Sequence, residues 1–467
     1  MKRLAMIAAF ALLFCGFWSW LSSEAARTDF RLSSTGQVRT KQEPVSPRLS
    51  ALRQELETGN RAALEQLWQE VASQGTPLVE PIQGDDRNVL VTFLWRAKEE
   101  TKNVLVWPGL SGSDLAKNQM RRLMDTDLWH KTYRLPSDAR FTYALSLNDS
   151  LVPIEDVDEK DIAKRFATVR MDPLNKRVAI GGGSIVELPG APPSAWGVRQ
   201  PEVPKGRIED AKIKSGILKN ERRAWVYTPP GYARDGKPYG LIVMFDGLMY
   251  TLLVPTPAIL DNLLAKSKLP PMIAVILDNP TPYSRSTEFA CSEPYAEFIA
   301  KEVIPWVRAN YNVTTDPSQT VVCGVSFGGL AAAFVGFRHP EIFGNVISQS
   351  GSFWWKPDSE KEPEWLARQF ATSKKLPLRF YLDVGLFETG PNPHGAPDMV
   401  AVNRHMRDVL RAKGYEVEYR ECNCGHDYLN WRGMLPDALM ALAGGSSNQK
   451  IEEPLAKLSG FEVITDL

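Results

Sequence analysis

One serine lies in a sequence context that turns a hydroxyl group into a nucleophile. Ser326 is the central residue of Gly-Val-Ser-Phe-Gly at 324–328, a G-x-S-x-G pattern. An apolar, strand-like run (320–325) precedes it and a helix-like run (327–338) follows. Flanking glycines permit the sharp turn that lifts a serine hydroxyl off the end of a strand. Because three small residues also coincide by chance, the strand and helix on either side carry the interpretation. The pattern predicts Ser326 as a nucleophile.

A serine hydroxyl needs a base within hydrogen-bond reach near neutral pH. The chain has five histidines, and His426 follows the last strand-like run, in a loop before the final helical pattern. This is the position at which an α/β-hydrolase carries its base. We therefore predict His426 as the base. His394 is the alternative, and a loop histidine in a salt bridge is the structural interpretation.

The third member of such a site is a carboxylate that orients the imidazole. Glu388 lies three residues beyond Gly385, at the end of the penultimate strand-like run, and is the predicted acid. Asp398 remains an open alternative, whereas Asp383 lies too far inside the strand. The chain order serine, acid, histidine is that of α/β-hydrolases.

An esterase also needs donors for the oxyanion that forms on the substrate. The backbone N–H of Phe327, directly after the nucleophile, is one expected donor. The turn that begins with Phe245-Asp246 follows an early strand-like run. It predicts a second donor at Gly247 or Leu248.

Beyond about residue 206, strand-like runs alternate with helical patterns, and several runs are apolar throughout. This is typical of strands buried on both faces of a parallel sheet. We predict an α/β-hydrolase domain, with a doubly wound and mostly parallel sheet, over residues 207–445. The predicted strands are 225–228, 241–245, 272–277, 320–325, 345–349, 380–384 and 417–420, and the predicted helices are 295–308, 327–338, 402–413 and 434–442.

The first half of the chain has a different pattern. One amphipathic helix is expected around residues 64–71, followed by short alternating runs at 89–95, 104–107 and 141–147 with turn residues between them. These runs predict an all-β sandwich domain over residues 51–200.

The two ends of the chain differ from the rest. Lys2 and Arg3 precede an apolar run at 4–21, and small residues follow at 23–26, as in a secretory signal. We expect a signal peptide at 1–26 and a periplasmic or secreted protein, with an uncleaved membrane anchor as the alternative. Residues 27–50 are predicted to be a linker. The tail, 446–467, carries no interpretable pattern.

Composition narrows the possible partners. Lys plus Arg and Asp plus Glu are both 55, so the formal net charge is zero, and a global electrostatic case for nucleic acid fails. Cys422 and Cys424 lack a second ligand pair at zinc spacing. We expect no metal site and no cofactor, a disulfide from Cys291 to Cys422 or Cys424, and Cys323 as a core residue.

Motifs in both halves resemble the enterochelin esterase family, whose members hydrolyse the ester backbone of catecholate siderophores. In the catalytic half the similarity lies in Gly-Val-Ser-Phe-Gly-Gly at 324–329, Asp-Gly at 246–247, Arg-x-x-Glu at 285–288, Gly-His-Asp at 425–427 and Trp-Arg-Gly at 431–433. In the first half it lies in 75–81, 91–96, 126–130, 148–149 and 172–175. The resemblance spans about residues 60–440. It departs from the family at Cys-Asn-Cys, 422–424, where a glycine-rich approach to the histidine is more usual.

The resemblance implies a small-molecule substrate, a catecholate siderophore that arrives with or without iron. It also implies that Arg285 and Arg432 contact the anionic substrate, although an ion pair of Arg285 with Glu288 is equally consistent. Trp431 is expected to stack on a catechol ring or to fill the core. The leading function is hydrolysis of a catecholate siderophore. A secreted esterase for another substrate, such as an acylated polysaccharide, and a non-catalytic siderophore-binding protein are the alternatives.

Overall fold

The computed structural model describes residues 44–108, 110, 115–152, 164–180, 182–390 and 392–444. The predicted leader at 1–26, most of the predicted linker and the predicted tail lie outside the described residues. No helix among the described residues is both long enough and apolar enough to cross a membrane.

Two helices begin the described chain, α1 (Pro47–Glu57) and α2 (Ala62–Gln74). The second confirms the helix expected from the apolar spacing at 64–71. The first begins inside the predicted linker. The Ser46 hydroxyl caps it by accepting a hydrogen bond from Leu49 N at 3.1 Å, and proline at the first helical position favours a helix start.

The rest of the first half is a β-rich domain, as predicted. Its strands are β1 (Leu78–Ile82), β2 (Asp85–Arg96), β3 (Val104–Trp107), β4 (Arg121–Arg122), β5 (Leu128–Pro136), β6 (Arg140–Leu147), β7 (Val169–Arg170) and β8 (Ser184–Glu187), with a short helix α3 (Leu115–Asn118) after β3. They form one antiparallel sheet of order β1-β2-β5-β4 and a second of order β3-β6-β7, with β8 also paired to β6. Both sheets contribute to one core, in which the Phe93 ring of β2 packs edge-on against Tyr143 of β6 at 4.6 Å.

The second half contains a sheet of eight described strands in the order β16-β15-β14-β13-β11-β12-β10-β9. The strands are β9 (Arg207–Ser215), β10 (Asn220–Thr228), β11 (Gly240–Met244), β12 (Met272–Leu277), β13 (Thr320–Val325), β14 (Asn345–Gln349), β15 (Arg379–Gly385) and β16 (Glu416–Cys422). From β11 to β16 all pairings are parallel, and β9 and β10 pair antiparallel at one edge. The predicted α/β-hydrolase fold is confirmed.

Helices cover both faces of this sheet. They are α4 (Gly247–Leu252), α5 (Thr256–Ala265), α6 (Pro282–Phe289), α7 (Glu293–Phe298), α8 (Ile304–Asn310), α9 (Phe327–Arg338), α10 (Trp365–Thr372), α11 (Met399–Ala412) and α12 (Tyr428–Ala443). The helix predicted at 295–308 is interrupted by a π-helical turn, Ile299–Val303. Core side chains from the helices and the sheet form two clusters, one on each face.

The topology brings several loops to one edge of the sheet. Strands β11 and β13 are neighbours although β12 lies between them in sequence, so their carboxyl ends flank a crevice. In open parallel sheets ligands bind in such a crevice. The turns after β11, β13, β15 and β16 carry the residues that the sequence singled out.

Candidate active site

Ser326 stands on a strained turn between β13 and α9. Its backbone has φ 57° and ψ −123°, a region that non-glycine residues rarely adopt. Its N–H donates to the carbonyl of Gln349 at 2.8 Å, which fixes the turn against β14. A Cβ at Gly324 would lie 2.2 Å from the carbonyl oxygen of Gly328. The backbone of residue 324 packs directly against that of residue 328, so a side chain at residue 324 would clash and only glycine fits.

Three predicted residues form one chain of hydrogen bonds. Nε2 of His426 lies 3.0 Å from Oγ of Ser326, and Nδ1 of His426 lies 2.6 Å from Oε2 of Glu388. The Glu388 side chain is 1% exposed and that of His426 is 31% exposed. The acid is thus held in the protein interior, while the imidazole borders the crevice. The structure brings together the nucleophile, base and acid that the sequence predicts.

The acid is fixed by partners that sequence reasoning missed. Oε1 of Glu388 accepts hydrogen bonds from Oγ of Ser350 at 2.7 Å and from the N–H of Gly385 at 2.8 Å. Ser350 follows β14 directly, so its position at the carboxyl edge was a signal available in the sequence. These donors leave Oε2 for the histidine and hold the carboxylate in one orientation.

The alternative acids lie elsewhere. Asp398 caps α11, with its Oδ1 accepting from the N–H of Ala401 at 2.8 Å. Asp383 is buried inside β15 and accepts a hydrogen bond from Nε2 of Gln349 at 3.1 Å. Burial raises the pKa of Asp383 to about 8, so this group is mostly protonated at neutral pH. Glu388 alone among the three is bonded to His426.

The predicted oxyanion donors differ in availability. Within the described part of the chain, no acceptor takes the N–H of Phe327 or of Gly247, whereas Leu248 N donates to Oδ1 of Asp278 at 3.3 Å. Burial raises the pKa of the Asp278 carboxyl. Phe327 and Gly247 therefore fit the donor role better than Leu248.

The predicted pairing of Arg285 with Glu288 is wrong, whereas its contact with the substrate stays a prediction. Arg285 is 6% exposed, and its guanidinium binds both carboxylate oxygens of Asp246, at 2.5 and 2.8 Å. Glu288 pairs with Arg222 instead. Asp246 begins the turn after β11 with a left-handed backbone, φ 60°. The Arg285 side chain thus braces the turn that carries Gly247.

For Trp431, stacking on a ring of the substrate stays a prediction, and the structure shows a core position. Its indole is 4% exposed, and Nε1 donates to Oγ of Ser350 at 3.0 Å. The edge of the Trp431 ring meets the imidazole of His426, with centroids 4.8 Å apart. Trp431 therefore fills the core next to His426 and next to Ser350, which holds Glu388.

Arg432 stays a predicted substrate contact, near the start of α12. It is half-buried, and no described residue accepts a hydrogen bond from its guanidinium. Burial lowers the pKa of Arg432, and the neighbouring positive charge of Arg140 lowers it further. An arginine stays protonated even so. Arg432 is therefore a partly desolvated cation without an anionic hydrogen-bond partner among the described residues, in the first turns of the helix that follows His426.

The expected disulfide to Cys291 is wrong. Cys422 and Cys424 are bonded to each other, with Cα atoms 5.3 Å apart, a separation that suits a disulfide. Cys291 and Cys323 are free and buried. Cys291 packs in the helical core, where burial raises the pKa of its thiol well above the ordinary value. No cluster of three or more potential metal ligands occurs among the described residues.

The fold and the hydrogen-bonded serine, histidine and glutamate define a serine carboxylic ester hydrolase of the α/β-hydrolase class. The chain belongs to the enterochelin esterase family. Residues 215–442 match the family model described as "Putative esterase", and residues 90–197 match "Enterochelin esterase, N-terminal".

Relatives match over both halves of the chain. The iron(III) enterobactin esterase of Dickeya dadantii is 31% identical over 83% of this chain and 95% of its own length. The iron(III) salmochelin esterase of an Escherichia coli O6:H1 strain is 29% identical over 85% of this chain and 98% of its own.

Solved structures are similar in overall fold over most of the chain. The enterobactin esterase of Shigella flexneri, crystallised in the presence of enterobactin, covers 81% of this chain and 97% of its own, with a TM-score of 0.64 and 27% identity. The ferric enterobactin esterase of Salmonella typhimurium covers 81% of this chain and 98% of its own, with a TM-score of 0.67 and 28% identity.

Proposed function

We propose that this protein hydrolyses the ester bonds of a catecholate siderophore of the enterobactin type, with Ser326 as nucleophile, His426 as base and Glu388 as the acid that orients it. The observation that carries the catalytic part is the continuous chain from Oε2 of Glu388 through the imidazole to Oγ of Ser326, at 2.6 and 3.0 Å. The names of relatives that match both halves of the chain support the substrate class.

The hydrogen bonds of His426 support a role for each nitrogen in the proposed proton transfers. Nδ1 of His426 donates to Glu388, so Nε2 is free to accept the proton of Ser326 as its oxygen attacks the ester carbonyl. The ester C–O bond then breaks, and the departing alkoxide takes that proton from Nε2. In a cyclic trilactone this step opens the ring and leaves the whole siderophore attached to Ser326. A water molecule, deprotonated by the same nitrogen, releases the linear product and restores the serine.

Backbone donors stabilise the charge that forms on the carbonyl oxygen. The N–H groups of Phe327 and Gly247 are the proposed donors, because neither has an acceptor within the described residues. A single donor of this kind contributes roughly 3–4 kcal/mol to the transition state. The buried Arg285–Asp246 pair holds the turn that presents Gly247.

Arg432 is the residue proposed to recognise the anionic substrate. A ferric tris-catecholate is an anion, and a guanidinium offers several donors to catecholate oxygens. Arg432 lies beside the Arg140–Glu187 ion pair of the β-rich domain. The anionic part of the substrate would therefore bind where the two domains meet, beside Arg432, while Ser326 attacks the ester backbone.

Substitution of Arg432 by glutamine tests this recognition. We expect KM for a ferric catecholate trilactone to rise about tenfold, because one charge-assisted hydrogen bond is lost. We expect KM for a neutral aryl acetate to stay within about twofold, since that substrate has no anionic group to bind. Steady-state kinetics with both substrates measure the difference.

A matched control is Arg404→Gln, which removes an exposed arginine paired with Glu421. It should change neither KM. An equal rise of both KM values in Arg432→Gln, or no rise in either, contradicts the recognition role.

We further propose that the protein is exported to the periplasm or beyond. The support is the sequence alone: Lys2 and Arg3, the apolar run at 4–21, and small residues at 23–26. Signal peptidase favours small residues at its cleavage site, so the mature chain should begin near Ala25 or Ala26. Mass spectrometry of the purified amino terminus checks this. An intact Met1 in the membrane fraction supports the anchor instead, and a cytoplasmic pool contradicts both.

A further inference from the structure

Asp427, the residue after the proposed base, joins the two domains. Its Oδ1 accepts from the N–H of Asn430 at 3.1 Å and so caps α12. Its Oδ2 accepts from the N–H of Thr142 at 2.9 Å and lies 3.2 Å from the Thr142 hydroxyl. Thr142 belongs to β6 of the β-rich domain. One carboxylate thus holds a helix of the catalytic domain and a strand of the other.

The same strand contacts the chain on both sides of the proposed base and acid. The N–H of Arg140 donates to the carbonyl of Asn423 at 3.0 Å, three residues before His426. The ring of Phe141 packs edge-on against Phe387, with centroids 5.5 Å apart. Phe387 immediately precedes Glu388. Strand β6 therefore touches both loops from which the base and the acid project.

The loop that carries His426 has little regular structure of its own. It runs from the end of β16 at Cys422 to the start of α12 at Tyr428, and it is braced within its domain by Nδ2 of Asn430, which donates to the carbonyl of Gly425 at 2.9 Å. The N–H of Phe387 also donates to the carbonyl of Cys424 at 3.0 Å, and the imidazole itself contacts Glu388, Ser326 and Trp431. The two residues next to His426 along the chain hold the backbone from which the imidazole projects. The neighbour on the carboxyl side is Asp427, and its free oxygen is held from the other domain.

We propose that Thr142 and Asp427 are positioning residues, through which the β-rich domain holds His426 in line with Ser326. The domain then contributes to the rate of the chemical step and not only to substrate binding. This inference rests on the catalytic roles proposed above for Ser326 and His426. Small displacements of a catalytic group lower rates steeply, since the reacting atoms must lie within hydrogen-bond reach in the transition state.

The test uses a small neutral aryl acetate, so that lost siderophore contacts do not enter the result. In the full-length protein, Asp427→Ala should lower kcat at least about twentyfold with KM within about threefold. Asp427→Asn keeps one acceptor oxygen and can satisfy either Asn430 or Thr142, but not both, so its kcat should fall between those of wild type and Asp427→Ala. Thr142→Val, which removes only the hydroxyl arm, should lower kcat by about twofold to fivefold.

Asp398→Ala is the matched control. Asp398 caps α11 in the same way, by accepting from Ala401 N at 2.8 Å, but lies on another helix of the catalytic domain. Loss of a helix cap should lower the melting temperature of both alanine variants, whereas only Asp427→Ala should lower kcat. If Asp427→Ala does not fold, the kcat values of Asp427→Asn and Thr142→Val decide the question.

Failure of the positioning role can be distinguished from failure of the proposed catalytic function. If Ser326→Ala removes activity while Asp427→Ala, Asp427→Asn and Thr142→Val keep kcat within twofold of wild type, the positioning role is wrong and the proposed catalytic residues stand. If Ser326→Ala keeps its activity, the proposed function itself fails. A fall in kcat that is as large in Asp398→Ala as in Asp427→Ala also overturns the inference, because cap loss alone then explains it.

Discussion

Replacing Ser326 with alanine is expected to lower kcat for ester hydrolysis at least about ten-thousandfold, while the affinity for substrate changes little. The Oγ of Ser326 forms the covalent bond to the acyl group, and no other hydroxyl at the site has a histidine within hydrogen-bond distance among the described residues. Binding should persist because the alanine removes one small polar atom and leaves the crevice intact. Stopped-flow or steady-state kinetics give kcat, and equilibrium titration of the variant gives the affinity.

Ser352 offers a control for this substitution. Its Oγ lies 3.4 Å from that of Ser326, and it is similarly buried, but none of the hydrogen bonds among the described residues joins it to a histidine. Ser352→Ala should keep kcat within about fivefold of wild type. Retention of more than a few per cent of activity in Ser326→Ala, or its loss in Ser352→Ala alone, contradicts the assignment of the nucleophile.

Replacing Glu388 with glutamine is expected to lower kcat at least about a hundredfold and to leave KM nearly unchanged. The amide must place its NH₂ group either toward His426 or toward the N–H of Gly385 and the hydroxyl of Ser350. The first orientation favours the wrong imidazole tautomer, with the proton on Nε2, which then cannot accept the proton of Ser326. In the second orientation the NH₂ group faces the backbone N–H of Gly385, so two donors meet and that hydrogen bond is lost. Steady-state kinetics on one ester measure the effect on kcat and KM.

The competing carboxylate supplies the comparison for this prediction. Asp398→Asn should leave kcat within about twofold and lower the melting temperature slightly, since Asp398 caps a helix. An exchange of the two phenotypes identifies Asp398 as the acid. A normal kcat in both variants means that Ser326 and His426 work without a carboxylate.

The catalytic centre was predictable because each of its residues follows the end of a strand of the parallel sheet. Ser326, Glu388 and His426 come after β13, β15 and β16, and parallel strands bring their carboxyl ends to the same edge. The sequence pattern around each residue is local, and the topology then assembles them. The same rule would have found Ser350, which follows β14 and donates to Glu388.

The roles of the neighbouring side chains were not predictable in this way. The sequence shows that Arg285 is a cation, but not that Asp246, 39 residues earlier, offers a carboxylate in the protein interior. Similarly, no local pattern pairs Thr142 with Asp427, which are 285 residues apart. Such contacts depend on how distant segments of the chain pack, within one domain or between the two, and charge or motif alone does not specify that packing.

The disulfide prediction failed for a related reason. The prediction paired Cys291 with Cys422 or Cys424, although no sequence pattern shows which of these thiols lie close together. The structure buries Cys291 among the core residues of the helical layer, while the chain between Cys422 and Cys424 turns back on itself at the end of β16. Burial and local chain geometry, rather than the number of cysteines, decided the pairing.

The central claim, that this serine esterase acts on a catecholate siderophore, is tested most directly by comparing kcat/KM for different esters. Purified protein is incubated with the ferric trilactone, the iron-free trilactone, an acylated polysaccharide and a simple aryl acetate. We predict that kcat/KM for one of the trilactones exceeds that for the aryl acetate at least about a hundredfold, because contacts remote from the ester are used to orient it. Rapid hydrolysis of the acylated polysaccharide or the aryl acetate, with no opening of either trilactone, would contradict the account.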